Sequence, residues 1–424
     1  MIPDSSKVAI SKNGFNQSPE ITSQGVEIEL FHDFENLSFI QTEWDHFIES
    51  TGGEIFLTYD WCRVWWKHYG KRRDLKIFLF KQSGEIVGIL PMFWERIRLG
   101  PVSARVIKIV GTDFMPVTVS LPIKLCFLKE VIELFRRSLE AQWKWDIIYL
   151  GALAGSYEVE ELLQCLKQSF AEDHEVELSL NGVQIYFDLK ENWEAQVASL
   201  AKNQRTNARR AFRDVASRNL LVTSAIAGKE DLTELFDEFV WIHQAQWQKR
   251  GKPGHFRAWP KAYDFHREIA SVQREHDRLR LLRVFFNGVC VDYEYIYRLG
   301  SQYCWFLNGR KEGLYDSRID FKWIALRAKI ELGISEGITC MDGMRGTYDY
   351  KTLMGGNTRP IKNIFIISSK RKDLLKVQLF RKMAWLLDIC YSKIWRARVA
   401  VKLGLKNKPF ARVWIRSHPL SLRP

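Results

Sequence analysis

Two stretches, LKIFLFKQSGEIVGILPMFW from Leu75 to Trp94 and LRLLRVFFNGVCVDYEYIY from Leu279 to Tyr297, carry one strand–turn–strand plan. Each joins two apolar, β-branched or aromatic runs through a glycine turn, and Asn287-Gly288 is a strong two-residue hairpin signal. Aromatic-rich helical patterns precede both: Tyr59–His68 with Trp61, Trp65 and Trp66, and Leu232–Gln248 with Phe236, Phe239, Trp241 and Trp247. A further helix, Tyr263–Glu275, follows in the second case. A helix and a strand come after each hairpin: Leu128–Leu139 and Asp146–Leu150, then a helix after Asp316 and Ile338–Met341. A chain that repeats this order folds as two copies of one α/β unit with mixed, mainly antiparallel sheets.

With 424 residues, 46% hydrophobic and 13% aromatic, the chain can bury substantial cores in about two domains. Residues 1–25 read as a polar, flexible lead, 26–190 as the first copy, 191–369 as the second and 370–424 as a tail. No uncharged apolar run is long enough to span a bilayer, and the lead is no signal peptide. Seven scattered cysteines without a C-x-x-C pair imply free thiols in a cytoplasmic setting and give no zinc motif. His243, His255 and His266 share a region but match no metal-binding spacing, so no metal is expected.

The net charge of +13 sits in one place. Residues 370–424 hold 15 Lys and Arg against Asp373 and Asp388, leaving 48 charges of each sign in the body. A DNA-binding protein would not concentrate its charge so. The tail's pattern, RKDLLKVQLFRKMAWLLDICYSKIWRARVAVKLGL, is a basic amphipathic helix. It suits an anionic membrane surface, which implies a peripheral position at the inner face, or docking on the protein's own body or on a partner.

Three groups of residues invite a functional reading. The stretch from Gln302 to Gly356 reads as strand, loop GRKEGLYD, helix, strand and short helix. Ser317 and Asp320 fit a capping box. Gly333 reads as the helix stop and Asp342-Gly343 as a turn out of the second strand. A helix opening after a strand and loop suits a phosphate; an ordinary crossover without ligand is the plain alternative. Asp292 and Glu294 alternate onto one face of a strand, where mutual repulsion can raise one pKa for general-base work, or where both face solvent or pair with an Arg. The first copy has no such pair. In NQRTNARRAFRD, Arg205, Arg209 and Arg213 repeat every four residues with Arg210 beside them. They form either a phosphate clamp or a solvated face.

The residues NQRTNARRAFRD, WFLNGR, the helix ending in Gly333 and MDGMRGTYDYKTLMGG resemble the GNAT-fold acyltransferases of the CelD/BcsL type. The first copy agrees through FLTYDWCRVWW, ILPMFW and Gly111–Asp113. That group is similar in architecture to the FemAB/FemX peptidyltransferases with two GNAT-like domains, and the resemblance covers residues 26–369. It implies acyl-CoA, acetyl-CoA in particular, as donor and the amine or hydroxyl of a cell-envelope or polysaccharide precursor as a small-molecule or glycan acceptor. Asp292 or Glu294 would be the base and Tyr350 the hydroxyl beside the leaving sulfur. Arg209, Arg210 and Lys351 would hold phosphates, and Asn308, Gly309, Gly313 and Ser317 would form the diphosphate loop, with Asp342 either part of the site or structural, orienting the Tyr350-Lys351 turn. GRKEGLYDS lacks the full Q/R-x-x-G-x-G/A pattern, so a Fem-like ligase using aminoacyl-tRNA on a lipid-linked precursor is the alternative. A non-catalytic scaffold recruited to membranes by the tail is a third reading.

Overall fold

The computed structural model describes residues 21–23, 25–113, 117–154, 157–311, 313, 318–346, 349–400 and 411–421. Ile21–Ser23 (β1) and Val26–Phe31 (β2) lead to helices Gln41–Ser50 (α1) and Tyr59–Tyr69 (α2). Strands Asp74–Gln82 (β3), Glu85–Leu99 (β4) and Val102–Ile109 (β5) follow. Then come helix Leu128–Gln142 (α3), strand Ile147–Ala154 (β6), helix Tyr157–Ser169 (α4) and the long strand His174–Asp188 (β7). The second copy opens with helices Trp193–Ala198 (α5) and Lys202–Ala216 (α6), then strand Val222–Ile226 (β8). Helices Leu232–Lys249 (α7), His255–Ala258 (α8) and Ala262–Glu275 (α9) precede strands Leu279–Phe286 (β9), Val289–Leu299 (β10) and Gln302–Arg310 (β11). It closes with helix Phe321–Ser335 (α10), strand Cys340–Arg345 (β12), helix Asp349–Leu353 (α11) and strand Asn357–Ser368 (β13). The tail is helix Arg371–Asp388 (α12), continued as a π-helix over Ile389–Val399, and helix Ala411–Ser417 (α13).

Both hairpins turn as the sequence indicates. Ser83-Gly84 and Asn287-Gly288 each place two successive residues at positive φ, the geometry of a tight turn that follows the strand twist. The next turns also match, with Gly100 and Gly300 both left-handed at 56° and 54°. In each copy four antiparallel strands lead to a parallel neighbour: β2-β3-β4-β5 then β6, and β8-β9-β10-β11 then β12.

The sequence suggests two sheets; the described strands form one, in the order β1-β2-β3-β4-β5-β6-β13-β7-β12-β11-β10-β9-β8. The last strand of each copy crosses to the other. Strand β7 pairs with β12, β13 pairs with β6, and the two pair with each other from Asn357↔Tyr186 to Ser368↔His174. An aromatic core also joins the copies: Trp61 of α2 packs edge-on to Tyr297 at 5.2 Å and to Phe265 at 5.5 Å. Such pairs bury large apolar area and add about 1 kcal/mol each beyond it.

The tail docks on strands of both copies. Val377, Phe380 and Ala384 bury their side chains with Val106, Ile147, Phe365 and Ile367. Arg381 binds Glu177 and lies over the Phe365 ring, and Lys376 binds Asp146. Trp414 of α13 stacks on Trp259 of the second copy, and Arg416 reaches the buried Glu95. Of the sequence's two options for this helix, its inner face takes the protein's own body. No helix among the described residues is long and apolar enough to cross a membrane.

Candidate active site

Strands β11 and β12 run parallel for only three residue pairs, ending at Cys304↔Asp342. Beyond that pair they part, and the next residues are Trp305 on β11 and Gly343 on β12. Lys351 of α11 closes the base of this fork. Its ammonium donates to the Gly343 carbonyl and lies 4.5 Å from the centre of the Trp305 ring. Burial lowers its pKa to about 8, with Asp342 opposing the shift. Lys351 is 6% exposed and Tyr350 is 40% exposed. Lys351, expected to hold a phosphate, has its charge engaged inside the fork.

The first copy has the equivalent three-pair parallel contact, ending at Lys108↔Tyr149. Its fork is closed. Val119 bridges Leu153 on β6, and Ile123 bridges Gly88 on β4. Lys108 is wholly buried, with Glu95 at 3.0 Å and Asp113 at 3.2 Å.

Asp342 is not a turn residue. Strand β12 continues through it to Arg345, with a register shift against β7 and with Met344 at a left-handed φ of 67°. Gly343 is needed because a side chain there would meet the Ile185 carbonyl at 3.1 Å and the Phe187 ring at 3.3 Å. The Asp342 carboxylate accepts from Gln184 Nε2 and the Met344 amide, which fixes the strand edge at the fork. Glu54 of the first copy faces it. Burial, aided by the Asp342 charge, raises Glu54 to about 7, while Ser120 donates to it through both amide and hydroxyl. No sequence pattern marks Glu54, because the strand exchange alone brings it there.

Asp292 and Glu294 share a sheet face as expected, but that face lies under α10 and both are fully buried. Arg310 Nε sits 3.3 Å from Asp292, and Lys329 of α10 binds Glu294. The pairing alternative is therefore the observed one. Burial raises Asp292 well above the usual carboxylate range, and the neighbouring Glu294 raises it further through charge and a hydrogen bond between the two carboxyls. Lys329 lies 3.8 Å from the centre of the Trp305 ring. The Trp305 ring thus has the ammonium groups of both Lys329 and Lys351 beside it.

Of the expected diphosphate loop, Asn308, Gly309 and Gly313 are among the described residues. Ser317 lies outside the described residues, and α10 starts at Phe321 with Asp320 as its N-cap residue, so the Ser317–Asp320 capping box is replaced. Asp320 places a carboxylate at the helix start, where it binds Lys322 at 2.6 Å. Gly333 does not stop this helix, which runs to Ser335. Gly309 serves packing: a Cβ there would meet the α7 backbone at 3.1 Å. The Asn308 carbonyl is taken by His243. Gly313 has a left-handed φ of 91° and open space around it. Arg209 and Arg210 are exposed on α6, whereas Arg205 spends its guanidinium on the Leu200 and Ala198 carbonyls.

The three histidines do meet. His243 Nδ1 donates to the Asn308 carbonyl, which leaves Nε2 to accept from His255 Nδ1 at 3.0 Å. Burial lowers His243 to about 4 and His255 and His266 to about 3, so all are neutral. Among the described residues no group of three or more His, Cys, Asp or Glu side chains could hold a metal ion.

A family profile described as an acetyltransferase (GNAT) domain matches residues 202–352, from α6 to α11, which includes the fork. The crystal structure of FemX superposes with a TM-score of 0.55 at 10% identity, covering 79% of this chain and 98% of that one. L-PGS from Bacillus licheniformis gives 0.45 at 11% identity, covering 79% and 94%. A conserved protein of unknown function from Bacteroides thetaiotaomicron gives 0.48 at 12%, covering 78% and 97%. No curated protein sequence matches the chain. The chain thus has an α/β fold of two GNAT-like units in tandem, with the acetyltransferase-type domain in the second.

Proposed function

We propose that the protein is an N-acyltransferase that moves an acyl group from acyl-CoA to the amine of a cell-envelope or polysaccharide precursor. The carrying observation is the parting of β11 and β12 beyond Cys304↔Asp342, with the Lys351 amine between them. A thioester laid along the fork brings its carbonyl to backbone N–H donors that need no reorganisation. The acceptor nitrogen attacks that carbonyl, the C–S bond breaks, and the sulfur takes a proton from Tyr350. The acceptor's proton goes to Lys351, whose amine is partly neutral near pH 8. Asp292 and Glu294 act as the base-side pair, their charge setting how readily Lys329 and Lys351 hold protons.

The closed fork of the first copy supports the second copy as the acting unit. In this reading the acceptor enters from the side of Glu54 and Asp342. Asp320 at the start of α10 favours a second reading, because its charge opposes a diphosphate there. Aminoacyl-tRNA would then be the donor, held by Arg209 and Arg210, and a lipid-linked precursor the acceptor. For either donor, the outward face of α12 supplies a peripheral membrane contact. Leu375, Leu379 and Leu386 are exposed beside Lys372 and Lys382, while Asp373 and Asp388 bond inward to Ser368 and Trp414.

The test is release of free CoA thiol from acetyl-CoA in the presence of amino-sugar acceptors. Wild type should turn over, while Asp292→Asn and Glu294→Gln should lose at least about tenfold in kcat with little change in KM. Full activity in both variants would remove the carboxyl pair from the mechanism. Acyl transfer from aminoacyl-tRNA alone would replace the donor.

A further inference from the structure

A cavity of about 220 Å³ opens between the two copies and the tail, and its walls are basic. Lys71 comes from the turn after α2, Lys261 from the start of α9 and Arg412 from α13, and His68, Tyr69, Arg73, Pro260 and Arg416 complete the described lining. Among the described residues no carboxylate lines it. Arg73 and Arg416 turn inward to Glu95, and Arg73 also binds Asp113 at 2.8 Å. Behind that wall the buried network holds three cations, Arg73, Lys108 and Arg416, against two carboxylates, Glu95 and Asp113. It therefore keeps a positive charge facing the cavity.

Three of the remaining cations lack a partner among the described residues, while His68 binds Glu268 at 2.9 Å. Lys71, Lys261 and Arg412 are exposed and make no ion pair or side-chain hydrogen bond with any described residue. Three segments distant in sequence bring them together, so their proximity comes from the tertiary fold and carries a repulsive cost. Lys261 adds a second cost. It is a non-glycine residue in the left-handed region at φ 55°, and it is the N-cap residue of α9 with no side-chain cap. A lysine is the wrong charge for that position by the helix dipole alone, whereas an anion beside it would satisfy both dipole and lysine.

We propose that this cavity binds a phosphate-bearing anion of diphosphate type. The docked tail contributes one wall, so the tail helps to build the site. None of these residues takes part in the fork chemistry, and the inference stands whichever acyl donor the fork uses. The same chemistry is offered by a soluble diphosphate group, such as that of a nucleotide-linked sugar, and by a lipid-borne phosphate.

The experiment is isothermal titration of the full chain with inorganic diphosphate at low ionic strength, beside the triple variant Lys71→Gln, Lys261→Asn, Arg412→Gln. Wild type should bind saturably with an affinity that falls steeply with salt. The variant should bind on the order of a hundredfold more weakly, with a melting temperature without ligand no lower than that of wild type. No saturable binding by wild type, or equal binding by the variant, overturns the proposal. A second arm adds vesicles containing phosphatidic acid. Displacement of bound protein from them by diphosphate assigns the cavity to a lipid phosphate, and vesicle binding indifferent to diphosphate assigns it to a soluble one.

Discussion

Replacing Lys351 by Met keeps the length of the side chain and removes its charge, which makes the cost of burying that charge measurable. The folded pKa of about 8 lies below the ordinary value of 10.5. That difference corresponds to about 3 kcal/mol of native-state penalty for the ammonium at neutral pH. The amine also donates to the Gly343 carbonyl, a bond whose loss costs about 1 kcal/mol. Lys351→Met should therefore stabilise the protein by about 2 kcal/mol at pH 7 while abolishing acyl transfer. The sign follows from proton counts. Between the folded and unfolded pKa values the unfolded chain holds more protons, so wild-type stability rises with pH from about 8 toward 10.5. The gain of the variant should shrink over that window and reverse once the wild-type amine is neutral. Urea unfolding of both proteins at pH 7 and near pH 10 is the assay. A variant destabilised to the same extent at both pH values would refute the buried-ammonium account of the fork.

Other expectations follow from the same contacts. Glu54 holds its proton to about pH 7 in the folded state against 4.5 as its ordinary value, so it lowers stability as pH rises through that interval. Glu54→Gln should remove this slope, read from melting temperatures at pH 5 and pH 7.5; an unchanged slope would take Glu54 out of the buried site. Arg205→Ala should cost about 1 kcal/mol by unfolding without changing donor affinity, since its guanidinium binds the Leu200 and Ala198 carbonyls. Leu375, Leu379 and Leu386, all changed to Gln, should leave the melting temperature alone and abolish flotation on phosphatidylglycerol vesicles. Retained flotation would remove the membrane role of α12.

The parts legible in the sequence are those set by local chemistry. The Asn287-Gly288 turn, the repeat of the aromatic helices and the shared face of Asp292 and Glu294 need only neighbouring residues to specify them. The exchange of β7 and β13 is a nonlocal pairing that leaves no local trace, and with it went the arrival of Glu54 and Gln184 beside Asp342. Asp342-Gly343 has the composition of a turn, yet its glycine is there to clear Ile185 and Phe187 of a strand from the other copy. Tyr350 and Lys351 were separable only by knowing which way α11 faces: the polar end of the lysine goes in and the tyrosine is left at the surface. The tail's amphipathic pattern announces an apolar face, and only the packing shows that Val377, Phe380 and Ala384 spend it on strands of both copies.

The central claim, that the fork of the second copy receives an acyl-CoA, is tested most directly by titrating the full chain with CoA, acetyl-CoA and a longer acyl-CoA while following its melting temperature. Ligand that binds only the folded state raises that temperature in proportion to its affinity. The account expects a saturable rise with an acyl-CoA, diminished in Lys351→Met after correction for that variant's own stability. A flat response to all three, with a rise on adding aminoacyl-tRNA, would contradict it.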